Sequence, residues 1–259
     1  VDEIKLSSEL DQNFMCVLSN FVSGELVDIT RNRQLPYLRD YFTSIPLKER
    51  ENTLVFISDM YEAYDTICRS FFPKAIHVID LFHVLTQLTN AVNRIRTRVM
   101  NSYAEKGSPI YNFMKAHWEC FLCRLNKIPD KFYTYKKTGE MFHYDDMVFK
   151  CIKTNETLWT GYNTLQELFK YSSCSDYEDA LNFIHRIVTK LQNSHDEILI
   201  SVAKTYHAWR YEIANGLAKS QRVFKYTNAI AEVNNSHLKT ILKAAYGYRS
   251  FARFRKRAL

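Results

Sequence analysis

Glycine and proline are scarce in this chain, which has 6 and 5 of them among its 259 residues. With so few turn-forming residues, the sequence offers little room for flexible linkers. Its composition, 46% hydrophobic and 24% charged, is that of an ordinary globular protein and argues against disorder. A chain of this length can bury one substantial core, or one core and a smaller appended domain.

Long apolar runs are also lacking. No segment approaches the ~20 apolar residues that a membrane-spanning helix needs. The first residues do not show the basic, apolar and small-residue sections of a signal peptide. We therefore expect a cytoplasmic protein without a membrane partner.

The six cysteines lack the regular spacing of a disulfide framework, so we expect free buried thiols. Cys120 and Cys123 form a C-x-x-C pair, but no second pair stands at the spacing of a zinc site. A structural zinc ion at this pair remains the alternative.

Acidic residues are nearly absent from the last part of the chain. Residues 219–259 contain ten Lys or Arg and a single acid, Glu232. Aromatic residues alternate with these charges in "YGYRSFARFRKR", a pattern that suits a polyanion through phosphate pairing and stacking. The alternative is a solvated helical face.

The predicted elements follow the order β-β-β-α-β-α-β. "VDEIKL" and "NFMCVLSNFVSGELVDIT" predict a three-stranded meander, and "TLVFISD" and "AIHVID" predict two buried strands that each follow a helix. This order describes an α/β sheet that begins antiparallel and becomes parallel. We expect a core in residues 1–100, an all-helical insertion in residues 101–225, and a C-terminal helix and basic tail in residues 226–259 that return to the core.

Carboxylates stand at positions where such a sheet forms sites. Asp59 and Asp80 end the two buried strands, although each also precedes a predicted helix and is a candidate N-cap. Asp2 lies in the first strand, and Glu232 falls on the polar face of the last helix, with Val233 on its apolar arc. If the fourth strand pairs with the first, Asp2, Asp59 and Glu232 can form a cluster suited to Mg²⁺. Two such ions, roughly 3.5–4 Å apart, stabilise the attacking and leaving oxygens of phosphoryl transfer.

Three blocks of the sequence resemble the ISL-three family of bacterial insertion-sequence transposases. They are "VDEIKL", "VFISDMYEAY" with "FFPKAIHVIDLFHV", and "NAIAEVNNSHLKTILKAAYGYRSFARFRKRAL". The resemblance covers nearly the whole chain and implies a DDE catalytic domain with a ribonuclease H-like fold. It implies that Asp2, Asp59 and Glu232 bind the metal.

Further roles follow from the same resemblance. Asp80 and His83 match a D-x-F-H block beside the site, where we expect them to support the ligands or position DNA. Asn234 and Asn235 match asparagines after the glutamate, which could bind a phosphate or hold the helix in place. We expect a basic track for DNA phosphates along Lys239, Lys243, Arg249, Arg253, Arg255 and Arg257.

The sequence departs from the family pattern at two positions. Val233 stands where the family usually has glycine, and its place on the apolar arc suggests that it improves packing. Leu81 replaces a basic residue that commonly follows the second-block aspartate. The family usually carries zinc-binding and helix-turn-helix modules ahead of the catalytic domain, so we interpret the chain as a fragment or a trimmed piece.

The function implied by the resemblance is metal-dependent cleavage of DNA strands and their transfer to a target. Two Mg²⁺ ions, replaceable by Mn²⁺, would first assist the attack of water on a DNA strand. They would then assist the attack of the freed 3′-hydroxyl on the target DNA. The expected partners are transposon ends and target DNA, bound by a homo-oligomer at the bacterial nucleoid. Two alternatives are a non-catalytic DNA-binding relic and a ribonuclease H-like nuclease that cuts without joining.

Overall fold

The computed structural model describes residues 1–5, 14–218, 229–244 and 250–259, and the side chains of residue 5 and of residues 229–232 lie outside the description. The described strands are β1 (Asp2–Lys5), β2 (Phe14–Ser19), β3 (Leu26–Thr30), β4 (Val55–Ser58), β5 (Ile76–Ile79), β6 (Phe132–Thr134) and β7 (Met141–His143). The first described helices are α1 (Leu35–Thr43), α2 (Leu47–Arg50), α3 (Glu62–Phe71), α4 (Leu81–Ser102), α5 (Pro109–Ala116) and α6 (Tyr144–Ile152). They are followed by α7 (Glu156–Leu168), α8 (Tyr177–Gln192), α9 (Glu197–Ala208), α10 (Arg210–Leu217), α11 (Ala229–Ala244) and α12 (Phe251–Ala258).

The chain packs as two units. The first contains Val1–His83 and Arg222–Leu259, and the second contains Val84–Gln221. The first combines strands and helices, and the second is mostly helical. The protein is therefore of mixed α/β class, and the expected order β-β-β-α-β-α-β is confirmed with one added single-turn helix, α2.

The strands of the first unit form two ladders. β1, β2 and β3 pair antiparallel in that order, with Asp2 opposite Val17. β4 and β5 pair in parallel, with Ser58 opposite Ile79. The nitrogen of Val1 also donates a 2.7 Å hydrogen bond to the carbonyl of Ile57, so the start of β1 contacts β4.

Helices cover both faces of β2 because its side chains alternate between them. Cys16 and Leu18 belong to a core with α1 and α3. Met15 and Val17 point the other way, into a core that also contains Leu238 of α11. Among the described residues, the buried members are Cys16, Leu18, Leu38, Phe42, Phe56, Ala63, Tyr64, Ile67, Cys68 and Phe72 on the first side, and Ile4, Met15, Val17, Ile29, Leu238 and Phe254 on the second. Residues from both ends of the chain thus meet on the second face.

The second unit is built around amphipathic helices. α4 buries Val84, Leu88, Ala91, Val92, Ile95, Arg96 and Val99. Gly161 of α7 approaches this face closely, since a Cβ at that position would lie 3.4 Å from Val92 and 3.6 Å from Leu199. α8 packs against α7, α9 and α10, and β6 and β7 add a short hairpin.

The division between the two units falls between His83 and Val84. The buried face of α4 runs through the whole helix, and the Tyr206 hydroxyl donates to the carbonyl of Val84 at its start. Nearly all of α4 therefore belongs to the helical unit. None of the helices in the described ranges is long and apolar enough to cross a membrane.

One packing expectation was wrong. Val233 is 69% exposed, whereas Asn235 is buried. The prediction took only the apolar residues of α11 as its buried face. The buried face instead includes Asn235, because this side chain donates a hydrogen bond to Asp2 of β1. All six cysteines are free thiols, and all except Cys123 are buried.

Candidate metal centre

Asp59 follows β4 and does not cap the next helix. The residue that precedes α3 is Tyr61, and no side chain caps that helix. Instead the backbone carbonyl of Asp59 accepts from the amide of Tyr61 at 3.0 Å. Its carboxylate oxygen Oδ1 is buried and accepts no hydrogen bond from the described part of the chain. The capping explanation for this aspartate therefore does not hold.

The surroundings of the Asp59 carboxylate disfavour its negatively charged form. The pKa of Asp59 is raised from 3.8 to about 6, mainly by burial and also by the negative charges of Glu3 and Asp2, while His83 and Arg33 partly offset the increase. A carboxylate that has a buried oxygen without a described partner and lies near two other carboxylates is destabilised in its charged form. A bound cation would remove this cost.

Asp2 is held in place from two sides. Its Oδ1 accepts from the amide of Glu3 at 2.8 Å, and its Oδ2 accepts from Nδ2 of Asn235 at 2.7 Å. Asn235 also has a buried oxygen, Oδ1, for which the described residues offer no partner. Asn234 donates to the Ser19 hydroxyl at 2.9 Å. These two side-chain amides connect α11 to β1, which carries Asp2, and to β2, which carries Ser19.

Glu3 was not predicted as part of this region. It forms an ion pair with Arg33 and accepts a 3.2 Å hydrogen bond from Tyr64. The Arg33 guanidinium lies 4.2 Å from the ring centre of Phe14 and 4.7 Å from that of Tyr61. The sequence shows Glu3 only as a second acidic residue next to Asp2. Its involvement in this region could not be predicted from that pattern, because it depends on an ion pair with Arg33, which is 30 residues away.

Asp80 is placed as the start of α4. Its amide donates to the Ser58 carbonyl at 3.0 Å, which extends the ladder between β4 and β5. Its Oδ1 accepts from the amide of Phe82 at 3.2 Å, as an N-cap does. Asp80 is 2% exposed. His83 lies close enough to affect the charge of Asp59.

The third expected ligand and the basic track are only partly described. Glu232 lies in α11, and its side chain and the whole of Arg249 are outside the described residues. Four other members of the track are exposed, namely Lys239, Lys243, Arg253 and Arg257.

Arg255 is engaged in the fold. Its guanidinium makes two 2.6 Å hydrogen bonds to the carboxylate of Asp28. Burial acts to raise the pKa of Asp28, but bonds from Arg255, from the Ile29 amide and from Tyr41 outweigh it and lower the pKa. The Arg255 guanidinium therefore links α12 to β3 through Asp28.

Ser58, His77 and Asp65 form a polar chain inside the first unit. The Ser58 hydroxyl lies 2.8 Å from Nε2 of His77, whose Nδ1 lies 3.3 Å from Asp65. The order of residue types is that of a serine nucleophile with its base and orienting acid. Ser58 is 0% exposed, so a substrate cannot reach its hydroxyl. We interpret Ser58, His77 and Asp65 as a buried structural network of hydrogen bonds.

The chain was compared with models of known protein families, with curated proteins and with solved structures. The model of a protein family described as transposase, the DDE type of the ISL-three group, matches residues 1–258. No curated protein and no solved structure matches the chain.

Proposed function

Because the chain belongs to the ISL-three family of transposases, we propose that it is a catalytic domain that cleaves DNA strands and joins them to a target by metal-dependent phosphoryl transfer. The observation that carries this proposal is the state of Asp59. Its buried oxygen has no hydrogen-bond partner among the described residues, and its pKa is raised to about 6. A bound cation would satisfy this oxygen and offset the cost of its charge.

The donor set fits a hard divalent cation. Asp2 and Asp59 offer carboxylate oxygens, which Mg²⁺ and Mn²⁺ prefer. Glu232 would complete the set, since it lies in α11 one turn before Asn235, whose side chain already contacts Asp2. When bound, two Mg²⁺ ions would stabilise the attacking and leaving oxygens at the reacting phosphate.

The surrounding residues would orient these ligands. Asn235 and the Glu3 amide each occupy one oxygen of Asp2 and so fix the plane of its carboxylate. The ion pair with Arg33 directs the Glu3 side chain away from a ligand role while its charge still acts on Asp59. Asp80 fixes the start of α4, which carries His83 close to the site.

The strand contacts support a ribonuclease H-like arrangement. The bond between Val1 and Ile57 lies one residue before Asp2 on one strand and two residues before Asp59 on the other. We propose that β3, β2, β1, β4 and β5 form one sheet in that order. The two aspartates would then lie side by side at the point where β1 and β4 meet.

DNA would be held by the exposed face of α11. Lys239 and Lys243 lie two and three turns beyond Glu232 and are both exposed. Arg253 and Arg257 on α12 would extend this track, while Arg255 keeps its structural bond to Asp28. We expect the domain to act as a homo-oligomer on paired DNA ends.

A joining assay tests the proposal. The chain is incubated with supercoiled plasmid and a labelled duplex that carries free 3′-hydroxyl ends, with Mn²⁺ or Mg²⁺. We expect labelled joined products from the wild type and from Asp40→Asn, a matched change at an exposed aspartate of α1. Asp59→Asn should give none. Joining that survives in Asp59→Asn would disprove the assignment.

The same assay separates the alternatives. Nicked plasmid without joined label would identify a nuclease. Plasmid that is bound but never cut, with an affinity unaffected by divalent metal, would identify a DNA-binding relic.

A further inference from the structure

α4 carries an unusual charge pattern. Its 22 residues include three arginines and no acid. Arg96 turns inward and is 7% exposed, donating to the Met114 carbonyl at 2.5 Å and to Asn93 at 2.9 Å. Arg94 and Arg98 remain on the exposed side of the helix.

These two arginines line an open groove of about 740 Å³ within the helical unit. The residues that form it are Asn93, Arg94, Thr97, Arg98, Asn101, Ser102 and Ile198. All except Ile198 carry a side-chain hydrogen-bond donor, and none carries a carboxylate. The groove is therefore lined by groups that bind anions.

Arg98 is held in position before any ligand arrives. It donates through Nη2 to Oδ2 of Asp196, and the other oxygen of Asp196 caps α9 by accepting from the Ile198 amide at 3.0 Å. The guanidinium has further N–H donors on its other edges. Arg94, by contrast, makes no ion pair with any described residue. One arginine is thus oriented and the other is uncompensated.

We propose that this groove binds the sugar-phosphate backbone of DNA, as a second contact surface in addition to the face of α11. The inference rests on the proposed function for the choice of DNA as the polyanion. Arginine, asparagine, threonine and serine are among the side chains that contact phosphate oxygens, and such contacts carry no direct sequence information.

The spacing of the groups also fits a strand. Arg94 and Arg98 are one helical turn apart, about 6 Å along the axis, and the row Asn93, Thr97 and Asn101 extends over about 12 Å. One DNA strand carries a phosphate for each ~3.4 Å of duplex axis. The groove is therefore long enough to follow about three phosphates.

The test measures DNA affinity of the full chain by fluorescence anisotropy with a mixed-sequence duplex over a series of salt concentrations. The variant is Arg94→Gln. The control is Arg186→Gln, which removes the same charge from an exposed helical position of the same unit, where the guanidinium lies 4.0 Å from the Glu167 carboxylate and does not line the groove. Circular dichroism checks that both variants keep their helical content.

We expect Arg94→Gln to weaken binding about 8-fold at 0.1 M salt, because each phosphate contact contributes about 0.9 to the slope of log affinity against log salt. The slope itself should become shallower by about 0.9. Arg186→Gln should behave as the wild type. Equal affinities and slopes for the wild type and Arg94→Gln would overturn the inference.

Two further measurements distinguish the sources of failure. Lys239→Gln on α11 tests the proposed function, and if it weakens DNA binding while Arg94→Gln does not, only the groove is wrong. Absence of salt-dependent DNA binding by the wild type would overturn both. Inorganic phosphate is the remaining probe, and if Arg94→Gln loses stabilisation by phosphate but keeps its DNA affinity, the groove binds a small anion and the inference fails.

Discussion

Replacing Asp59 by asparagine should stabilise the metal-free protein at neutral and alkaline pH. The pKa of Asp59 is about 6 in the folded chain and its ordinary value is 3.8. The difference is ~2 pKa units, and each unit is worth ~1.4 kcal/mol, so the charged carboxylate lowers the stability of the folded state by ~3 kcal/mol. Asparagine has nearly the same shape and carries no charge.

The pH dependence follows from the direction of the shift. Below about pH 4, Asp59 is protonated in both the folded and the unfolded chain, so its charge contributes nothing. Between about pH 4 and 6 it is protonated only in the folded chain, and stability falls as the pH rises. Above about pH 6 it is ionised in both states, and the full cost is present. The gain from Asp59→Asn should therefore be near zero at pH 4 and about 3 kcal/mol at pH 8.

Urea unfolding of the wild type, Asp59→Asn and the control Asp40→Asn at both pH values measures this difference. Mn²⁺ should then raise the stability of the wild type at pH 8 and leave Asp59→Asn unchanged, because ligand binding stabilises only a chain that can bind. If Asp59→Asn were equally or less stable than the wild type at pH 8, the reasoning on its buried charge would be refuted.

Three other substitutions test contacts around the site. Arg255→Ala should cost about 2 kcal/mol in urea unfolding at pH 8, because it leaves buried Asp28 without its bidentate partner. The cost should vanish as the pH falls through the lowered pKa of Asp28, and a loss that persists there would contradict the ion pair. Asn235→Ala removes the hydrogen bond to Asp2 and should weaken Mn²⁺ binding about 10-fold by calorimetry, whereas unchanged affinity would exclude an orienting role. Leu238→Ala should destabilise the first unit by about 3 kcal/mol, and a cost below about 1 kcal/mol would show that α11 does not depend on this packing.

Local patterns were sufficient for much of the fold. The run "TLVFISD" predicted β4, and the run "AIHVID" predicted β5. The N-cap role of Asp80 was also available from the sequence, because a short polar residue between a strand and a helix favours that position.

Features that depend on contacts between distant parts of the chain could not be predicted from local sequence patterns. Asp28 and Arg255 are 227 positions apart, so no local pattern could show that Arg255 is bonded to β3. Apolar periodicity placed Val233 inside α11 because it gave no weight to Asn235, a polar residue that is buried by its bond to Asp2. The metal ligands stay a prediction, as the side chain of Glu232 lies outside the described residues.

The bond between Asn235 and Asp2 joins residues 233 positions apart. At a synthesis rate of ~5–20 residues per second, the two halves of this contact leave the ribosome on the order of 10–50 s apart. During that interval Asp2 and Asp59 exist without α11, and the helical unit is made in full before the contact can form. The geometry thus delays assembly of the proposed centre until both the helical unit and α11 have been synthesised, and a chain interrupted before α11 would lack the groups that orient Asp2.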